Sequence, residues 1–135
     1  MKKIEVKAID HLVITTQNLD CCLAFYTGLL GMIHETRNGH HYLTFGASKI
    51  SLHTRKGEFT PAATMPTTGS QDFCLLIRQD IHEVKQSIED SGYPLATDIV
   101  ERHGGAGRLL SIYLYDPDGN LVELSQPVST RENIL

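Results

Sequence analysis

The chain has no tryptophan, and four Phe and five Tyr are its only other aromatics. A ligand that needs aromatic faces to stack on would find few here. Three cysteines, two of them adjacent at Cys21 and Cys22, are too few for a disulfide framework. Vicinal pairs bridge only with strain, so reduced thiols and a cytoplasmic location are expected. No apolar run approaches the ~18 residues of a membrane span. The lysines at Lys2 and Lys3 have no apolar stretch behind them, so no signal peptide is expected. A formal net charge of −4 offers no basic footprint, which argues against nucleic acid and anionic membrane as partners. What remains, at 135 residues, is the size and composition of one ordinary globular domain.

The periodicity runs through the same order twice. Ala8 to Thr15 is β-branched and apolar and reads as a strand. Asn18 or Asp20 is placed to cap a helix that carries Leu19, Cys22, Leu23, Tyr26, Leu29 and Leu30 on one face, closed by Gly28 and Gly31. Two short strands follow, His40 to Gly46 and Lys49 to Arg55. In the second half, Gln71 to Arg78 reads as a strand. Asp80 caps a helix with Ile81, Val84, Lys85 and Ile88 on one stripe, which Gly92 stops. Arg102 to Arg108 is rich in glycine and reads as a loop. Ser111 to Tyr115 and Leu121 to Gln126 form a hairpin around Asp116-Pro117-Asp118-Gly119-Asn120.

The predicted fold is therefore α+β: two tandem βαβββ modules whose sheets curve into a cup. Module one spans about 7–56 and module two about 71–127. A Thr-, Pro- and Gly-containing linker covers about 57–70, and a tail covers 128–135.

The repeat carries polar side chains with it. Tyr42 to His53 and Ile112 to Glu123 have equal length and end on His53 and Glu123. His11 and Asp72 each open a strand 20 residues before the helix-ending Gly31 and Gly92. Alternation places Val122 and Leu124 on one face and Glu123 on the other. A carboxylate in mid-strand on a concave face loses water, which is costly unless it is paired or bound to a cation. His, Asp and Glu at duplicated positions point to a metal site built from one module used twice. The remaining histidines (His34, His40, His41, His82 and His103) fall in turn, helix-end or loop contexts and read as surface residues. Cys74 sits among Phe73, Leu75 and Leu76 and reads as core.

Three segments carry a family resemblance: Asp10-His11-Leu12-Val13-Ile14, Ala24-Phe25-Tyr26-Thr27-Gly28-Leu29-Leu30-Gly31-Met32, and Tyr115-Asp116-Pro117-Asp118-Gly119-Asn120-Leu121-Val122-Glu123-Leu124. Together they resemble the vicinal oxygen chelate superfamily of glyoxalases, bleomycin and fosfomycin resistance proteins and extradiol dioxygenases. The resemblance runs from about Lys7 to Gln126.

The resemblance implies a divalent metal (Ni, Co, Zn, Mn or Fe) on His11, His53, Asp72 and Glu123. This chain has His53 where glyoxalase I has Glu, and Asp72 where it has His. It also implies a glyoxalase-type reaction, in which vicinal oxygens of a small substrate are chelated and an enediolate is stabilised, with Glu123 and Asp72 as catalytic groups. Arg102, Arg108 and Arg55 are the expected holders of a substrate carboxylate. The alternatives are an Fe(II) dioxygenase using two His and one carboxylate, or a metal-free ligand-sequestering protein of the bleomycin-resistance kind. The resemblance further implies a homodimer with its sites at the subunit interface.

Overall fold

The computed structural model describes residues 2–129, and the chain divides into two compact units, Met1–Thr68 and Gly69–Leu135. Module one contains β1 (His11–Thr15), α1 (Leu19–Leu23), a π-helical stretch (Ala24–Leu29), β2 (Ile33–Arg37), β3 (His40–Phe45) and β4 (Ser48–His53). Its four strands lie in the order β1-β4-β3-β2, with β1 and β4 parallel and the other pairs antiparallel. Module two contains β5 (Asp72–Leu76), α2 (Ile81–Asp90), β6 (Val100–Gly104), β7 (Gly107–Tyr115) and β8 (Leu121–Pro127). Its order is β5-β8-β7-β6, again with one parallel pair, β5 and β8. The expected α+β architecture of two βαβββ modules is present, and neither sheet closes on itself.

Local chemistry sets the helix ends. The Asn18 side chain accepts from the Cys21 amide at 3.0 Å, and Asp80 accepts from the His82 amide at 2.8 Å. The first helix widens at its end: the Leu30 amide reaches back to the Phe25 carbonyl, and the Thr27 hydroxyl donates to the Leu23 carbonyl at 2.6 Å. Gly31 and Gly92, at φ +71° and +81°, then turn the chain out of each helix.

Alternation decides the core. In module one Ile14, Leu43, Ile50 and Leu52 are buried together with Cys22, Phe25 and Tyr26 of the helical segment. In module two Ile112, Leu114, Val122 and Leu124 are buried with Ile81 and Ile88 of α2. Each such side chain contributes about 1.5–3 kcal/mol by leaving water. The helix thus takes one face of each sheet, and the polar residues of the alternating pattern fall on the other.

Three sequence expectations change. The first strand begins at His11 rather than Ala8. The stretch from Arg102 to Arg108 is no loop: Gly104 pairs with Gly107 across a two-residue turn, so Arg102 lies on β6 and Arg108 on β7. Cys74 is exposed. Its neighbours Phe73 and Leu75 share a face with Val122 and Leu124, which leaves Cys74 on the opposite one. The tail expected at 128–135 lies outside the described residues from Thr130 onward. Val128 itself donates to the Arg108 carbonyl at 3.0 Å.

Candidate metal and ligand site

The two modules are superposable by register. In module one the Thr16 amide bonds the His53 carbonyl at 2.8 Å; in module two the Ile77 amide bonds the Ser125 carbonyl at 2.9 Å. Thr16 therefore corresponds to Ile77 and His53 to Ser125. Counting back along the paired strands, His11 corresponds to Asp72 and Ser51 to Glu123. The first equivalence agrees with the sequence count, but that of His53 with Glu123 does not.

The register also separates the module-one histidines. His11 pairs with Lys49 and His53 with Thr15, an offset of four residues. At ~3.3 Å per residue they stand about 13 Å apart along the strands, both on the face away from the helix. Module one does not bring His11 and His53 together. Asp72 and Glu123 are offset by only two residues, about 7 Å along the strands. Among the described residues no three His, Cys, Asp or Glu side chains converge as a metal cluster.

Each residue has its own setting. His11 is held through Nδ1 by the Asp10 carboxylate at 2.9 Å, a contact that leaves Nε2 as the nitrogen open to a ligand. His53 is half-buried, with Phe59 edge-on at 5.3 Å between ring centroids; Phe59 also stacks on His40 at 3.6 Å. Glu58, next in sequence, accepts from the Thr54 amide and hydroxyl and pairs with Arg55 at 3.2 Å. Those bonds hold the Glu58 carboxyl below its usual range. Arg55 is thereby tied to an acid of its own module.

Glu123 sits directly opposite Cys74 on β5 and Tyr113 on β7. Ser125 donates to Glu123 Oε2 at 3.0 Å and accepts from the Cys74 thiol at 3.1 Å. With that proton committed, the buried Ser111 hydroxyl donates to Ser125 at 2.7 Å. Burial pushes the Cys74 thiol up, and the Glu123 charge adds to the effect. Burial also raises the Tyr113 hydroxyl; Arg102 opposes this and Glu123 reinforces it.

A cavity of about 410 Å³ opens on this face, lined by Glu123, Cys74, Leu76, Arg102, Leu109 and the turn Gly104 to Gly107 among others. Its size falls within the roughly 300–1,000 Å³ of small-molecule sites. Arg108 also lines it but forms an ion pair with Glu101, which keeps the Glu101 carboxyl low. Asp72 is exposed and outside the cavity lining.

Ser125, Ser111, Cys74 and Tyr113 carry no motif that marks them as site residues in the sequence. Alternation along β5, β7 and β8 was the signal that places them beside Glu123.

Residues 8–124 match the Glyoxalase/Bleomycin resistance protein/Dioxygenase superfamily. The glyoxalase domain-containing protein RDO1 of Mycosarcoma maydis is 40% identical over 124 residues, 92% of this chain and 70% of that protein. Virulence protein STM3117 of Salmonella typhimurium is 41% identical over 124 residues, covering 91% of this chain and 86% of that one. The crystal structure of STM3117 matches at a TM-score of 0.90 over 93% of this chain and all of that one. A lactoylglutathione lyase from Agrobacterium tumefaciens shares the fold at a TM-score of 0.68 and 24% identity, covering 90% of this chain and 94% of that one. On this footing the chain belongs to the Glyoxalase/Bleomycin resistance protein/Dioxygenase superfamily.

Proposed function

We propose that the protein is a divalent-metal-dependent enzyme of the glyoxalase type, with His11 of one protomer and Asp72 and Glu123 of its partner as the protein donors. The observation that carries this reading is Glu123: a carboxylate in mid-strand, between the buried Val122 and Leu124, on the face of a cavity of ligand size. The superfamily commonly binds a divalent metal, and the donor chemistry fits one. His11 has the carboxylate-to-Nδ1 contact that fixes a ligating tautomer, and an imidazole with two carboxylates suits Zn, Mn, Ni, Co or Fe.

His53 is assigned a different place. Its four-residue offset from His11 sets it apart along the ligand face, beside Phe59 and His40. The same offset weakens the dioxygenase alternative, which needs both histidines and a carboxylate on one ion.

When bound, the ion supplies Lewis-acid stabilisation of negative charge on neighbouring substrate oxygens. The chain supplies the proton chemistry. Glu123 Oε2 takes and returns a proton at adjacent substrate carbons, held in position by the Ser125 hydroxyl. The Ser111 to Ser125 bond keeps that donor pointed at Glu123. Asp72 adds a second carboxylate two residues along the paired strand. A homodimer is the proposed assembly, with its sites at the subunit interface.

The experiment is formation of lactoylglutathione from methylglyoxal and glutathione with Ni, Co, Zn or Mn added in turn. Metal-dependent turnover that is lost in Glu123→Gln supports the reading; no turnover with any of the four removes it. Ligand binding that survives EDTA unchanged would leave a sequestering protein instead.

A further inference from the structure

We infer that Arg102 is the anchor for one carboxylate of the substrate, and that the module-two cavity takes the apolar part of the ligand next to it. This deepens the proposed function and rests on Glu123 facing the reacting end of the same ligand.

Three arginines were candidates, and their partners separate them. Arg55 is paired with Glu58 and Arg108 with Glu101, so each positive charge is already offset by a carboxylate. Arg102 is held by neutral groups: Nε donates to the Tyr113 hydroxyl at 3.0 Å and Nη1 to the Glu101 carbonyl oxygen at 3.0 Å. Its guanidinium also lies over the Tyr113 ring at 5.4 Å. Two bonds and a ring contact fix the plane of the group without spending its charge. A guanidinium pre-set in this way loses little side-chain freedom on meeting a carboxylate.

The rest of the lining sets the ligand's body. Leu76, Leu109, Pro127, Val128 and Ala106 are apolar, and Leu76 is 65% exposed in the free protein. A ligand tail would cover such carbon. Glu123 lines the same cavity, and Tyr113, to which Arg102 is bonded, is its cross-strand neighbour. Charge decides between anions: one free guanidinium offsets one negative charge, whereas a phosphate dianion would bring a second charge close to Glu123.

The test uses the full chain, as purified and after EDTA, titrated with 4-methylpentanoate and with its uncharged amide and followed by NMR shifts. Metal content is measured on the same samples. In the EDTA-treated protein the acid is expected to bind at least about tenfold tighter than the amide, as a charge-assisted bond warrants. Arg102→Gln should bring the two within about twofold. Arg102→Lys, which keeps the charge without the fork, should fall between, and Arg55→Gln should leave the preference intact. Equal binding of acid and amide by the wild type, binding of neither, or a tenfold preference that survives Arg102→Gln would overturn the assignment. A preference without metal uptake would sink the metal-enzyme reading alone; metal uptake without a preference would sink the Arg102 anchor alone.

Discussion

Modules one and two share a chain path down to the hydrogen bond that closes the parallel strand pair, yet they load that frame differently. At corresponding positions module one has His11, Ser51 and His53, and module two has Asp72, Glu123 and Ser125. Module one surrounds its outer histidine with Phe59 and His40. Module two surrounds its carboxylate with hydroxyls, a thiol and the cavity that holds Arg102. The lesson is that duplication preserves backbone register while the chemistry at each position drifts. A motif shared by both halves reports the fold, and the differences report the site.

Under the proposed function, His11→Ala should weaken Zn or Mn binding on the order of a thousandfold, about 4 kcal/mol. His53→Ala should change it by no more than about threefold. Competition with a chelating indicator dye measures both. Equal losses would mean that the four-residue offset does not keep His53 from the ion.

The turns before β4 and β8 offer the next contrast. Module one turns in two residues, Gly46 and Ala47, between the paired Phe45 and Ser48. Module two uses five residues and a buried network. Asp116 accepts from the amides of Asp118 and Asn120 and from the Asn120 side chain at 2.7 Å, while Asn120 Oδ1 accepts from the Gln71 amide at 2.9 Å. Asn120 is fully buried, so Asn120→Ala leaves Asp116 and the Gln71 amide short of partners. The expected loss is about 3 kcal/mol, read as a lower urea midpoint. Ala47→Ser should change the unfolding free energy by less than about 0.5 kcal/mol.

These turns also explain what was legible in the sequence. Period-two alternation in Leu121 to Ser125 was enough to set Glu123 on the open face, because its flanks Val122 and Leu124 can only be core. Asn18, Asp80, Gly31 and Gly92 marked the helices by cap chemistry. Register was not legible. The equal lengths of Tyr42 to His53 and Ile112 to Glu123 span turns of two and five residues, so equal counting matched His53 to the wrong partner. Cys74 reads as core for a related reason: its neighbours on both sides are apolar, although alternate residues of one strand face opposite ways and Cys74 is exposed. Arg102 became distinguishable from Arg55 and Arg108 only through long-range partners, which no local pattern encodes.

A smaller effect tests the module-one surround. Glu58 is held below its ordinary value of 4.5 by its two bonds from Thr54, with Arg55 helping. A depressed native pKa stabilises the fold above the unfolded value, and that contribution is lost as pH falls through the native one. Wild type should therefore lose stability as pH drops below about 4.5. Glu58→Gln should flatten that part of the profile. In the same variant the Phe59 ring shifts should move as its packing on His40 and His53 loosens.

The module-two surround gives the least change and the finest test. Cys74 is exposed, yet its thiol is raised above the ordinary 9.0 by burial of the sulfur and by the Glu123 charge, against the lowering effect of Ser125. Reaction with iodoacetamide requires the thiolate, so Cys74 should be modified more slowly at pH 8 than a free thiol of ordinary pKa. The rate should still be rising past pH 9, where that of an ordinary thiol begins to level off. Glu123→Gln removes a negative charge beside the sulfur and should shift the profile to lower pH. A Cys74 profile that levels off at or below pH 9 in the wild type, or does not move in Glu123→Gln, would mean that Glu123 is not coupled to this side of the strand pair. It would then act alone on the cavity face, without the Ser125 bridge that sets module two apart from module one.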